Sequence, residues 1–223
     1  MLSLNIDTSQ NITSVSVSSE KEILHLLEED NERPNHCELL SPIIKKIFNI
    51  LSLEVKQITE VRVNIGPGNL SSLRVGISTA NVFGSFSNIP VYGISSFLPY
   101  ALNCSYNNKS LIVVFDLKNN NLSYARFVKK NSEVSILDHN FKITSDSFKA
   151  INFKDSSIVG TGSQICREIL KDNLSDDLFK NENFNTSSSF LYNIDLNYHK
   201  KLIFKDSPLA PFNSYSFIVK EGN

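Results

Sequence analysis

From Val61 to Gly93 the chain reads VRVNIGPGNLSSLRVGISTANVFGSFSNIPVYG, and no other stretch narrows the choice of fold so far. It holds five of the eight glycines, at 66, 68, 76, 84 and 93. Val61, Val63 and Ile65 alternate with polar residues as in a strand. The Gly66-Pro67-Gly68-Asn69 turn follows, then a long helical segment, a stop at Pro90 and a second strand. Strand, tight turn, helix, strand is a βαβ unit, because parallel strands need such a crossover. An α/β fold is therefore expected.

The helix carries its own pattern. Ser72, Gly76, Ala80 and Gly84 recur every fourth residue and share one face. A glycine inside a helix costs about 1 kcal/mol relative to alanine. Close packing against another body is expected to offset that cost, and spacing leaves open whether the body is internal or a partner. Leu70, Leu73, Ile77 and Phe83 form a second, apolar face. Arg74 is the helix's only charge, and reaches either water or an acidic partner.

Upstream, Leu2, Leu4 and Ile6 alternate up to Asp7-Thr8-Ser9, and Val15 and Val17 alternate after the Gln10-Asn11 turn, so a hairpin is expected. Residues 22–27 offer a third strand, and Asn31–Pro34 breaks the chain. A helix then opens at Asn35, with Glu38 placed as in a capping box. Leu39, Leu40, Ile43, Ile44, Ile47, Phe48 and Leu51 follow at helical spacing. Pro42 removes a donor inside it, so a kink or a later start is expected. Ser95-Ser96 caps a short helix to Leu102.

The polar run 103–110 marks a lobe boundary. LIVVFDL is an apolar run suited to a buried strand. KNNN turns it and LSYARFV returns, so residues 111–128 echo residues 2–18, with Asp116 where Asp7 stands. Residues 132–137 and 156–160 read as strands, Ser163–Leu170 as a helix, 173–189 as a loop, and 190–204 as a helix carrying Phe190, Leu191, Ile194 and Tyr198. The two lobes are expected at 1–104 and 105–223, with the C-terminal segment able to return to the first.

Candidate chemistry is sparse. Backbone N–H groups at a helix start attract anions. Gly66, Gly68 and Asn69, with Asp7, Thr8 and Arg74, are thus candidate anion or nucleotide contacts. Pro67 donates nothing, and neither GxxxxGK[ST] nor GxGxxG is present. Glycine's backbone freedom explains the turn fully and is the preferred reading of the turn alone. His36 has no histidine at position 40 to complete a metal-binding pair, and His25, His139 and His199 do not stand at ligand spacing. No metal site and no catalytic residue is assigned. No GxSxG elbow occurs. Cys37, Cys104 and Cys166 are isolated thiols, read as reduced. Net charge is −1, with 22 basic and 23 acidic residues, which is no electrostatic footprint for nucleic acid. No apolar run reaches the ~20 residues needed to span a bilayer, and MLSLNID does not read as a secretory leader, so a cytoplasmic protein is expected.

LNIDTS, NHCELLSPI and GPGNLSSLRVGISTANVFG…IPVYGISSF together resemble the TsaB family, also called YeaZ. That family's usual form of the last motif is close to GPGSFTGLRIGxxxAKGLA…PxxGVSSL. The likeness covers residues 1–98. Beyond them VVFDLKNNNLSYARF looks like a degraded form of the family's second hairpin, with Leu117 and Lys118 where Ala and Arg are usual, and the customary PxYLR-like ending is absent.

The resemblance implies a two-lobed actin/Hsp70/sugar-kinase fold, each lobe a mixed sheet with helices. It implies a non-catalytic subunit that supports threonylcarbamoyl transfer to the tRNA adenosine beside the anticodon. The implied partners are a TsaD-like catalytic subunit, as a heterodimer, and a TsaE-like ATPase. Transfer RNA is reached only through the complex, ATP and Mg are used by the other subunits, and a homodimer is implied in isolation. TsaD-like relatives keep an HxxxH pair where this chain has His36 and Leu40. The implied interface comprises His36, Leu39, Leu40, Ile43 and Ile47 on the first helix, and Ser72, Gly76, Ala80, Phe83 and Gly84 on the second. Rival readings are a nucleotide-dependent kinase or ATPase of the same fold, which would want a glycine near Asp7, a metallopeptidase, which lacks the metal pair, and a self-associating scaffold that uses the same helices as a homodimer.

Overall fold

Alternation along Ser3–Asp7 (β1) and Ile12–Ser18 (β2) builds an antiparallel hairpin with Ile6 opposite Val15 and Asp7 opposite Ser14. The computed structural model describes residues 1–30, 35–104, 109–130, 133–170, 179, 186–197, 202–205 and 208–212. Ile23–Asp30 (β3) adds antiparallel to β2. Glu60–Gly66 (β4) lies parallel to β1, and Val91–Ser95 (β5) parallel to β4. The crossover between β4 and β5 is the helix Leu70–Ser87, as the glycine-rich stretch predicts. Ile203–Phe204 (β10) closes the far edge antiparallel to β5, giving the order β10-β5-β4-β1-β2-β3.

The second sheet comprises Ser110–Asp116 (β6), Asn121–Lys130 (β7), Glu133–Thr144 (β8) and Ser156–Val159 (β9), in the order β8-β7-β6-β9. β6–β7 and β7–β8 are antiparallel and β6–β9 is parallel. That order and those senses repeat β3-β2-β1-β4, so the echo between the two hairpins extends to the topology of the units. The KNNN turn holds Lys118, Asn119 and Asn120 at φ of 65°, 52° and 61°, a conformation asparagine tolerates better than most residues.

Two compact units result: Met1–Leu98 with Asn185–Asn223, and Pro99–Phe184. The core of the second is built from Ile112, Val114, Leu122, Tyr124, Phe148, Phe153 and Ile158.

In the first unit successive residues alternate between sheet faces. One face presents Leu4, Ile6, Val15, Val17, Val61 and Val63, all buried. It is covered by His36–Ile50 (α1) and Leu70–Ser87 (α2), which touch β2 and β4 and each other. The other face presents Ser3, Asn5, Asp7, Ser14, Ser16, Ser18, Glu60, Arg62 and Asn64, also buried.

Some local expectations change. Asn35 makes no side-chain cap; its amide instead donates to Glu38 Oε2 at 2.7 Å. Helix α1 starts at His36 and continues through Pro42, which is solvent-exposed. Phe97–Asn103 (α3) and Ser163–Ile169 (α5) match the short helices expected, and Ser145–Phe148 (α4) is a further turn of helix. The helix expected over 190–204 does not form. Ser188–Phe190 is a single 3-10 turn, residues 191–197 are irregular, and β10 occupies Ile203–Phe204. Tyr198, the break at 31–34, most of the 173–189 loop and the SYSFIVK ending lie outside the described residues.

Candidate functional site

Helix α2 starts cleanly because Asn69 Oδ1 accepts from Ser71 N and Ser72 N at 3.1 and 3.2 Å. It ends at Asn88, held at φ 51° in the left-handed region, just before Pro90. Its small-residue strip points inward. Ser72, Gly76, Ala80 and Gly84 are buried. A Cβ on Gly76 would lie 2.6 Å from Thr8 Oγ1 and 3.4 Å from Ile6 Cγ2, and one on Gly84 would overlap Val91 Cγ2. Thr8 Oγ1 also donates to Ser72 O at 2.8 Å. The body that approaches so closely is the chain's own sheet, which corrects the placing of these four residues on a partner-facing surface. His36, Leu40, Ile43 and Ile47 are likewise buried beneath α1. Of the ten interface candidates only Leu39 and Phe83 are partly exposed.

The outward faces hold what that reading missed. Val75 and Thr79 are partly exposed, Val82 is 65% exposed and Phe86 84% exposed. With Phe83 they form one stripe along α2 at helical spacing. The 75-79-82-83-86 spacing was present in the sequence, but the small strip drew the assignment. Phe83 meets Phe48 of α1 edge-on, with centroids 6.3 Å apart. Beside this pair a groove of about 500 Å³ opens between α1 and α2, lined by Ile44, Phe48, Leu53, Val55, Thr79 and Phe83, with Lys45 and Glu54 also lining it. Ile50, 51% exposed, lies on the last turn of α1. The exposed phenylalanine and its valine neighbours make a contiguous apolar stripe on the outward face of α2.

The turn and Asp7 form a second cluster, already saturated internally. Asp7 is 1% exposed. Its Oδ1 accepts from Ser9 N at 2.8 Å and its Oδ2 from Asn64 Nδ2 at 2.9 Å. Asn64 Nδ2 also reaches Ser9 Oγ, and Asn64 Oδ1 accepts from Gly66 N and Ser96 Oγ. Ser9 Oγ pairs with Thr186 Oγ1 at 2.9 Å. Burial pushes the Asp7 carboxyl above the ordinary aspartate value, while hydrogen bonds from Ser9, Asn64 and Thr186 hold it back. Asn69 N donates to Ser9 O at 3.1 Å, and a Cβ on Gly68 would lie 2.5 Å from that same oxygen.

Four of the six candidate anion contacts have hydrogen-bond partners within the chain. Asp7, Thr8, Gly66 and Asn69 are tied together, Gly68 serves close approach, and Arg74 is exposed on α2. Asn64, Ser96 and Thr186 escaped sequence reasoning, since nothing local links them to Asp7.

His36, 2% exposed, places Nδ1 2.8 Å from Thr13 Oγ1. Burial holds its pKa below the ordinary histidine value, against the Gln10 backbone and the Asp7 charge, which raise it. Among the described residues no group of three His, Cys, Asp or Glu side chains is placed to hold a metal, and no helix is long and apolar enough to cross a membrane.

Comparison with known proteins adds the following. The family model described as TsaD, tRNA N6-adenosine threonylcarbamoyltransferase, matches residues 31–190. A "tRNA threonylcarbamoyladenosine biosynthesis protein TsaB" of Buchnera aphidicola subsp. Schizaphis graminum is 28% identical over 131 residues, 58% of this chain and 61% of that protein. A tRNA N6-adenosine threonylcarbamoyltransferase of Phytoplasma australiense is 41% identical over 63 residues, 28% of this chain and 19% of that one. The chain spans about three-fifths of the length of the TsaB relatives it matches. Among solved structures, YeaZ from Pseudomonas aeruginosa superposes with a TM-score of 0.68 over 99% of this chain and 92% of that one, at 13% identity. The likeness at that identity is one of fold: two mixed sheets with helices.

Proposed function

Since the chain belongs to the TsaD family of tRNA N6-adenosine threonylcarbamoyltransferases, in its TsaB/YeaZ branch, we propose that it is a non-catalytic subunit of tRNA threonylcarbamoyladenosine synthesis. Its role is to dock on a TsaD-like catalytic subunit and hold it in a competent state. One observation carries this reading: the outward stripe Val75, Val82, Phe83 and Phe86 beside the α1–α2 groove, an apolar surface on the two helices that cover the sheet. Asp7 is sealed, and its carboxylate oxygens accept from Ser9 and Asn64, which favours a scaffold over the kinase or ATPase alternative. On this reading ATP and Mg²⁺ enter through the other subunits, including a TsaE-like ATPase, and tRNA is met only in the complex.

The experiment is depletion of the protein in its host, with mass spectrometry of digested tRNA, and recovery of the tagged chain from lysate. Threonylcarbamoyladenosine should fall, and a TsaD-like chain should co-purify. Unchanged levels of the modified nucleoside would sink the assignment. ATP turnover by the purified chain that disappears in Asp7→Ala would restore the kinase alternative.

A further inference from the structure

The first sheet has two buried faces of opposite chemistry, and they are covered by opposite means. The aliphatic face lies under α1 and α2. The polar face lies under a piece of extended and 3-10 chain, residues 186–194, which returns after the second unit. Its Ser188–Phe190 turn touches β1, β2 and β3.

Named hydrogen bonds fasten this cover. Thr186 Oγ1 meets Ser9 Oγ at 2.9 Å. Ser14 Oγ accepts from Ser188 N at 2.9 Å and donates to Ser188 Oγ at 2.9 Å. Arg62 Nη1 reaches the carbonyls of Leu191, Tyr192 and Ile194 at 2.9, 2.5 and 3.3 Å. Arg62 is itself fixed from the sheet side, Nε to Glu60 Oε1 at 2.7 Å, and Ser3 Oγ donates to the same carboxylate at 2.5 Å. The guanidinium is thus a catch: one end belongs to β4, the other to the returning chain.

We propose that residues 186–194 form a releasable strap, which opens from the polar face of the sheet while α1 and α2 stay packed on the other, and which in its closed state seals Asp7.

The physical argument is the asymmetry of what opening exposes. Uncovering an aliphatic face forfeits apolar burial, the dominant favourable contribution to folding. The face under the strap offers Ser3, Asn5, Ser14, Ser16 and Ser18, whose groups exchange a protein partner for water at small net cost. Asn5 Oδ1 is buried without a hydrogen-bond partner, so hydration would satisfy an acceptor that the closed state leaves unmet. Among buried aliphatic side chains, the strap contributes Leu191 and Ile194. Elements with few buried apolar contacts open locally, well below the free energy of global unfolding. Opening also frees Ser9 from Thr186, so Asp7 and Asn64 come within reach of solvent and of small polar solutes.

Hydrogen exchange of the purified full chain, read by mass spectrometry, tests this. Peptides within 186–194 should be protected at least about a hundredfold less than peptides from β1 and β4, and their exchange should depend only weakly on urea. Ser14→Ala removes both bonds to Ser188, and Thr186→Val removes the bond to Ser9. Each should raise exchange in the strap roughly tenfold and leave β1 and β4 unchanged. Equal protection of strap and strands in the parent protein overturns the proposal. So does a rise in exchange that either variant spreads evenly over the sheet.

Discussion

At position 84 on α2 there is no room for a side chain: a Cβ would overlap Val91, and at position 76 it would crowd Thr8. These two glycines set how closely the helix lies on the sheet. Overpacking of this kind costs about 1–3 kcal/mol. Gly84→Ala should therefore lower the urea midpoint by that order, and Gly76→Leu by more. A midpoint unchanged in both would show that the helix can move off the sheet freely. His36 supplies a second residue-scale expectation, with a definite sign. Its folded pKa lies below the ordinary value, chiefly through burial. Above about pH 6.5 both folded and unfolded states carry it neutral, and its contribution is intact. As pH falls below that, the unfolded chain binds the proton first, so stability is lost until the folded pKa is also passed. Asp7, whose folded pKa is raised by burial, acts with the opposite sign. The difference between parent and His36→Asn isolates the histidine. Urea melts at pH 7 and pH 5 should show a smaller acid loss in the variant; equal losses would refute the assignment.

Helix α2 shows what a period conveys and what it leaves out. Spacing every fourth residue placed Ser72, Gly76, Ala80 and Gly84 on one face, and they do share one. It carries no information on which body covers that face, and the sheet proved to be the body. The hairpins, α1, α2 and β5 were legible because each is specified by neighbours in sequence: alternation, helical spacing, a terminating proline. The helix expected over 190–204 failed for a non-local reason. Asn193, Asp195 and Asn197 are poor helix formers, and Arg62, distant in sequence, donates to the carbonyls of Leu191, Tyr192 and Ile194. The Asp7 cluster was hidden in the same way, since Asn64, Ser96 and Thr186 come from three separate parts of the chain. The element-scale prediction concerns the stripe that is left outside. Val82→Glu and Phe86→Glu replace side chains that are 65% and 84% exposed, so melting temperature should change little. Binding to a TsaD-like partner should weaken at least about tenfold, because apolar anchors at the centre of an interface carry most of its energy. Melting that collapses, or binding that is untouched, would remove the stripe from the interface.

Over the whole molecule the first unit is discontinuous in sequence. The chain leaves it at Leu98 and re-enters at Asn185. What returns is structural: β10 extends the sheet beside β5, Phe212 packs edge-on to Phe97 at 6.0 Å, and Asn81 exchanges two hydrogen bonds with the Leu209 backbone. Arg62 and Glu60 are both buried, and three of the guanidinium's acceptors lie on the returning chain. A chain cut after Leu98 would keep the glycine-rich βαβ unit that most constrains the fold. It would expose β5 as an edge and remove Phe212 from its place against Phe97. It would also remove the three carbonyls of the returning chain to which Arg62 donates. Total stability of a domain is itself only about 5–15 kcal/mol. Residues 1–98 alone should therefore show no cooperative thermal transition by circular dichroism. The same residues joined by a short flexible linker to 185–223 should regain one, since the second unit has its own core and its deletion removes none of the bonds named above. A cooperative melt from residues 1–98 alone would mean that the returning segment decorates a unit already complete without it.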